Sequence, residues 1–313
     1  MRFGIIGTNW ITDRLIAAAN AHPEFSIGAI YSRTEETGRS FADKYEVKNV
    51  YTDMEKMFQS GDIDAVYIAS PNVFHAEQSI LAMQNGIHVL CEKPAVTSVD
   101  EMDQVIQVAN QHQTMYMEAM KSTVTPAFLN VKKHLHKIGA LRRFVFHYNQ
   151  YSSRYDKYKD GIIENAFKPE LGNGARMDLG VYTIAPLIHL VGEPKSVLKN
   201  DYLLSTGAIG QGSMILQYDG FEAILMYSKI SDSYYPSEIQ GENGVIEIDK
   251  ISEPSQIIIK YRDGQTEDIS VQHDYESMYY EVAEFITCVN NKQIESTINT
   301  HEISRSVAKL LTV

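Results

Sequence analysis

Two cysteines in 313 residues, Cys91 and Cys288, are too few for a zinc cluster or for the disulfide framework of a small secreted domain, and a reducing interior suits them best. Positive charge is scarce too. The 28 Lys and Arg residues face 40 Asp and Glu, a formal net charge of −12, so no surplus of cations exists to neutralise a phosphate backbone, and nucleic acid is not an expected partner. Long apolar runs are missing. The N-terminal one lasts only from Phe3 to Ile6, too short for a signal-peptide core, and nothing approaches the roughly 18 apolar residues of a membrane span. A soluble cytoplasmic protein with no membrane partner is the expectation. The chain also has no internal repeat, low-complexity tract or flexible Gly/Ser linker.

With 44% hydrophobic and 22% charged residues, the composition supports a packed core, and 313 residues favour two domains over one. The chain has two textures. From residue 1 to 120, short apolar runs (Phe3 to Ile6, Ser26 to Tyr31, Ala65 to Ala69, His88 to Cys91, Thr114 to Met117) alternate with amphipathic segments (Ile11 to Ala21, Phe74 to Asn85, Val99 to His112). That rhythm predicts an α/β domain, a doubly wound (Rossmann) parallel sheet.

From 121 to 313 the period changes. A helix after Pro126 carries Phe128, Val131 and Leu135, and then strand-like alternation places Phe144, Phe146 and Tyr148 on one face and Met214, Leu216 and Tyr218 likewise. Asp219-Gly220 and Glu242-Asn243-Gly244 are hairpin signals. Helical patterns near 175–191, 275–291 and 301–311 are expected to cover one face of the resulting sheet. This second domain reads as α+β, with a large, mostly antiparallel open sheet. The last helical pattern runs on to Val313 without a stop signal, as though the helix continued further.

Three places carry the chemistry. In GIIGTNW a strand feeds a turn and a helix starting near Trp10, where free N–H groups and the helix dipole favour a pyrophosphate. Against G-x-G-x-x-G, Gly7 fills the first position, while Asn9 and Thr12 stand in for the other two glycines. Asn tolerates positive φ, so the turn can survive with the phosphate near a side chain, and Gly7, Thr8, Asn9, Trp10 and Ile11 are the candidate contacts. The alternative is a plain strand-to-helix turn. At the end of the second strand, Ser32 and Arg33 occupy the place where an enzyme specific for NAD would carry an acid, which favours NADP over NAD. Arg33 could also simply cap the sheet edge.

The third place is CEKPAVTS, at the carboxyl edge of the parallel sheet. Pro94 keeps Lys93 out of the α region and turns the chain toward the crevice. A lysine beside a positive nicotinamide would have its ammonium disfavoured, the means by which enzymes bring lysine to a pKa of about 7 or 8 for proton transfer. Taken alone, Lys93 could equally be a solvated charge.

The run DAVYIASPNVFHAEQSILAMQNGIHVLCEKPAVTS, Asp64 to Ser98, resembles the core signature of the Gfo/Idh/MocA oxidoreductases, the glucose-fructose oxidoreductase and inositol dehydrogenase family. LGNGARMDLGVYTIAPLIHLVG, Leu171 to Gly192, resembles that family's second signature. The resemblance implies that Lys93 is the proton donor or acceptor and that Asp178, Gly180 and Tyr182 match D-x-G-x-(H/Y), with Tyr where inositol-type dehydrogenases have His. Asp178 and Tyr182, four apart, would share a helix face. They could instead be a first-turn Asp and a core Tyr. The resemblance also puts Ser70, Pro71, Asn72 and His75 beneath the ribose and nicotinamide, with Glu92 and Glu118 close by, although both acids could be local salt-bridge partners.

The implied activity is hydride transfer between a nicotinamide and a sugar, polyol or related cyclic alcohol or ketone. Two alternatives stay open: an enzyme that keeps its NAD(P) bound and uses it transiently in glycoside cleavage, and a dinucleotide-binding sensor without chemistry. Arg154, Tyr155, Lys157, Tyr158 and Lys159 could clamp a sugar, or form a solvated loop or subunit contact. A homodimer through the C-terminal sheet is implied, with the alternating Tyr and Met residues supplying its apolar area. No spacing supports a metal site, since His134 and His136 would lie about 200° apart on a helix.

Overall fold

The computed structural model describes residues 1–313 and divides into two compact units, 1–121 with 275–308 and residue 312, and 122–274 with 309–311 and 313. The first unit is built on six parallel strands, β1 (Arg2–Ile6), β2 (Ser26–Tyr31), β3 (Asn49–Tyr51), β4 (Ala65–Ile68), β5 (His88–Glu92) and β6 (Tyr116–Ala119), in the order β3-β2-β1-β4-β5-β6. β4 and β5 are buried along nearly their whole length, as strands covered on both faces must be. The order reverses between β1 and β4, and in open parallel sheets ligands bind outside the carboxyl ends of the strands at that point.

The helices α1 (Trp10–Ala19), α2 (Glu35–Asp43), α3 (Met54–Gln59), α4 (His75–Gln84) and α5 (Val99–His112) connect the strands. The side chains of Asn9, Thr34, Asp53 and Ser98 cap α1, α2, α3 and α5 by accepting from first-turn N–H groups. After the second unit, α10 (Ser277–Asn290) and most of α11 (His301–Thr312) return to the first. α10 packs on α1 and β5, with the Phe285 ring 5.7 Å from that of Phe3. The Tyr116 amide donates to Ile294 O at 3.0 Å, and Asn299 Nδ2 to Met120 O at 3.2 Å. The expectation that these helices would cover the second sheet is therefore corrected. An amphipathic helix announces an apolar face, and the chain delivers that face to the parallel sheet.

In the second unit an eight-stranded sheet runs β14-β13-β12-β11-β7-β10-β9-β8, made from β7 (Leu141–Asn149), β8 (Ser196–Leu203), β9 (Ile209–Gln217), β10 (Glu222–Ser228), β11 (Ser237–Gly241), β12 (Gly244–Ile248), β13 (Ile257–Tyr261) and β14 (Thr266–Asp268). All its pairs are antiparallel except β7 with β10. Asp219-Gly220 closes the β9–β10 hairpin, with Gly220 at φ +81°, and Glu242-Asn243 joins β11 to β12. Ahead of the sheet lie α6 (Lys121–Val124), α7 (Pro126–His134) and, past β7, α8 (Tyr155–Lys159).

The helix α9 (Val181–Val191) packs on β7 and β10 and covers the face carrying Phe144, Phe146, Met214, Leu216 and Tyr218, all buried. Those residues cannot supply the open dimer face expected of them. Strand alternation defines two faces without saying which one a helix will cover. The uncovered face holds the residues one step out of phase, a row Leu198, Ile215, Ile224 and Val145 that runs across four paired strands.

Candidate active site

At the switch point, Gly7 ends β1 at φ +103°, and a Cβ there would lie 2.4 Å from Ala69 O, so only glycine lets the turn pass beneath the end of β4. Asn9 explains the lost second glycine. Its Oδ1 accepts from the Ile11 amide at 3.0 Å and the Thr12 amide at 3.4 Å, while its Nδ2 donates to Ala69 O at 2.8 Å. Thr12, in the third glycine position, is fully buried and donates to Gly7 O at 2.6 Å. The turn is thus braced by side chains, with Thr8 part-buried and Asn9 and Trp10 exposed where a ligand can reach them. Asn9→Ala is expected to cost about 1 kcal/mol of unfolding free energy, the usual worth of an N-cap, read from urea unfolding.

Ser32 is buried at the end of β2 and Arg33 is exposed beside it, directly ahead of the Thr34 cap of α2. The Ser70-Pro71-Asn72 loop follows β4, with Ser70 Oγ donating to Gln78 Oε1 at 2.7 Å. His75 sits under this loop and is only 1% exposed. Its Nε2 lies 2.8 Å from Ser70 O and its Nδ1 2.9 Å from Pro94 O, so the ring ties the loop after β4 to the turn after β5. Burial pushes its pKa down, and a neutral ring donates to one of the two carbonyls. His75 is a positioning residue for both loops.

Lys93, half-buried, follows β5 at a cis Lys93–Pro94 bond. The acid before it is fixed from two sides: Glu92 Oε1 accepts from the Tyr67 hydroxyl at 2.5 Å and Oε2 from the Lys93 amide at 3.2 Å. Burial pushes the Glu92 carboxyl up, while Lys93 and the Tyr67 bond pull it down. Tyr67, buried against Glu92, is held far above the usual phenol range. Glu118 is buried as well and accepts from the Ala95 amide at 3.0 Å, so its carboxyl, raised by burial, pins the segment after Lys93 to β6.

The second unit presents Asp178 and Tyr182. A π-helical turn, Arg176–Gly180, precedes α9, and such turns recur at functional sites. A Cβ on Gly180 would sit 3.0 Å from the Tyr227 ring of β10, tighter than an ordinary side-chain contact. Asp178 Oδ2 accepts from Lys229 Nζ at 2.6 Å, and that lysine, 4% exposed, lies 5.8 Å from the Phe167 ring centre. Tyr182 is nearly buried, its ring 5.6 Å from that of Tyr148. Lys229 has no signal in the sequence, where it is one lysine after an alternating strand. In the 151–174 segment, Tyr155 and Tyr158 stack at 5.7 Å, Lys159 lies over Tyr151 and Tyr155, and Lys157 and Arg154 pair with Glu164, so most of this clamp is engaged with itself.

Two family models match these halves, that of an oxidoreductase family with an NAD-binding Rossmann fold over residues 1–120 and that of the family's C-terminal alpha/beta domain over 133–308. The chain belongs to the Gfo/Idh/MocA oxidoreductases. The family's C-terminal domain model therefore includes the stretch 275–308, which folds with the first unit.

Among relatives in this oxidoreductase family, the chain is 50% identical over 311 residues to scyllo-inositol 2-dehydrogenase (NADP(+)) IolU of Bacillus subtilis (strain 168), covering 99% of this chain and 95% of that protein. It is 30% identical over 225 residues to D-xylose 1-dehydrogenase (NADP(+)) 2 of Haloferax volcanii, 70% of this chain and 66% of that one. The crystal structure of KijD10, a 3-ketoreductase from Actinomadura kijaniata in complex with NADP and TDP-benzene, shares the fold at TM-score 0.85 and 22% identity, over 99% of this chain and 95% of that one. No helix is long and apolar enough to cross a membrane.

Proposed function

We propose that this oxidoreductase is an NADP-dependent dehydrogenase of cyclic polyols, oxidising a ring CH–OH to the ketone or running the reverse reduction. The observation that carries the substrate class is the 50% identity to a scyllo-inositol 2-dehydrogenase, which extends over both units. The dinucleotide suits the residues present. Gly7 lets the turn pass beneath the end of β4, Asn9 braces the turn at the start of α1, and Arg33 at the end of β2 offers a cation to a 2′-phosphate where no acid stands to repel it.

Bound NADP would supply the hydride acceptor in oxidation and the donor in reduction. In oxidation the hydroxyl proton goes to the Nζ of Lys93. In reduction the same nitrogen returns a proton to the oxygen. Glu92, held by Tyr67 and by the Lys93 amide, fixes the root of that lysine. In reduction Tyr182, through its phenol hydroxyl, hands a proton to the lysine or to a carbonyl oxygen. Asp178, anchored by Lys229, orients the substrate hydroxyls.

The experiment is a panel of inositols, sugars and their keto forms with NADP or NAD, followed at the reduced-nicotinamide absorbance. Turnover of a cyclic polyol with NADP is the expected result, and no net reduction with any member would overturn the reading. Arg33→Ala is expected to raise KM for NADP roughly ten- to a hundredfold and leave NAD nearly unchanged, since a hydrogen bond to a charged group is worth about 1.5–3 kcal/mol. The same reading includes a homodimer through the open sheet face. Leu198 and Ile215, 71% and 42% exposed, begin an apolar row there that a second copy would cover. Sedimentation as a monomer at micromolar concentration would remove it.

A further inference from the structure

The root of Lys93 is surrounded by buried charge drawn from several elements of the first unit, and one member has no evident structural use. Glu281, on α10, is fully buried, yet neither of its carboxyl oxygens has a hydrogen-bond partner. The groups facing it are Glu92 at the end of β5, Lys93 in the turn that follows, Lys121 at the start of α6, Arg14 on α1 and Tyr67 on β4. Glu92 already accepts a hydroxyl and an amide. Two carboxyls sharing one dry site do not both ionise, and the one with donors takes the charge. Glu281 is then the protonated partner. Burial and the nearby Glu92 push its carboxyl well above the usual range, against a weaker pull from Lys121, Lys93 and Arg14.

We propose that Glu281 is a positioning residue for proton transfer, a buried acid brought back by the C-terminal helix whose proton sets how readily Lys93 gives up its own. While Glu281 is neutral, one fewer anion faces the ammonium groups of Lys93 and Lys121, and Lys93 releases its proton more easily. When Glu281 ionises, the added anion holds the ammonium in place. The two groups titrate as a coupled pair.

The inference rests on Lys93 as the group that moves the proton, and the test keeps the two apart. Glu281→Gln holds the site neutral at every pH with nearly the same shape, and Glu281→Met does so without any hydrogen-bonding group. In polyol oxidation the acid limb of kcat/KM is expected to move to lower pH by half a unit or more in whichever variant folds. In the free protein at neutral pH, the infrared band of a protonated carboxylic acid should be present in wild type and lost in the variant. A superimposable pH profile, a shift to higher pH, or an unchanged infrared band would overturn the role of Glu281. Lys93→Met, assayed alongside, reads the underlying assignment: loss of turnover there leaves that assignment standing whatever Glu281 does, and full turnover removes both.

Discussion

Lys93→Met is expected to lower kcat roughly 10²- to 10⁴-fold, the usual worth of a positioned proton-transfer group. Because the proton moves in the transition state, kcat and kcat/KM should fall together while KM for the polyol stays within a few-fold. Methionine keeps an unbranched stem of similar reach, and the contact that fixes this turn from Glu92 is made to the Lys93 backbone amide, which the substitution leaves in place. The His75 bridge to Pro94 O likewise involves no lysine side-chain atom. The dissociation constant for NADPH, measured by nicotinamide fluorescence, should therefore change little. A kcat within threefold of wild type would show that the proton leaves by another group, with Tyr182 the next to replace. Separating kcat from coenzyme affinity matters because a damaged turn would weaken both.

The long elements were legible because their periods are strong. The apolar spacing from Val99 to His112 coincides with α5, and four of the five strand runs in the first half overlap strands closely. What escaped was short or weakly apolar. β3 has three residues, too few for alternation to show, and α2 has a glycine at its centre and buries little beyond Phe41 and Ala42. Patterns also carry no address. The 275–291 and 301–311 segments read correctly as helices, but amphipathicity cannot say which sheet receives them, and the phase of β7 and β9 cannot say which face α9 will cover. Among the candidate residues, Lys93, Glu92 and Glu118 of the first unit and Asp178 and Tyr182 of the second stand in motifs legible in the sequence. Lys229 and Glu281 do not, because each gains its meaning from a partner distant in sequence, Asp178 being 51 residues from Lys229. The degraded glycine pattern became intelligible only when Asn9 was seen bonding both the helix amides and Ala69 O.

The stability of the free protein should depend on pH through Glu281, and Glu281→Gln should remove that dependence. The folded-state pKa of this carboxyl lies well above its ordinary value of 4.5, because burial and Glu92 oppose ionisation. Between those two pKa values the folded chain binds more protons at this site than the unfolded chain does. Its contribution is then fully present below about pH 4.5 and is lost as pH rises toward the folded-state pKa, with a slope of at most about 1.4 kcal/mol per pH unit. Glutamine does not titrate. Near pH 4.5 the variant and wild type compare an amide with a neutral acid of the same shape and should unfold at similar urea concentrations, whereas at pH 8 the variant should be the more stable. Glu92 and Glu118, whose carboxyls are also raised, remain in both proteins, so much of their pH dependence cancels in the difference. Urea midpoints at successive pH values from 5 to 8 measure the divergence directly. Parallel curves would mean that Glu281 is ionised in the folded protein throughout that range, with its charge compensated by Lys121 and Lys93, and a buried ion pair would then replace the neutral acid beneath Lys93.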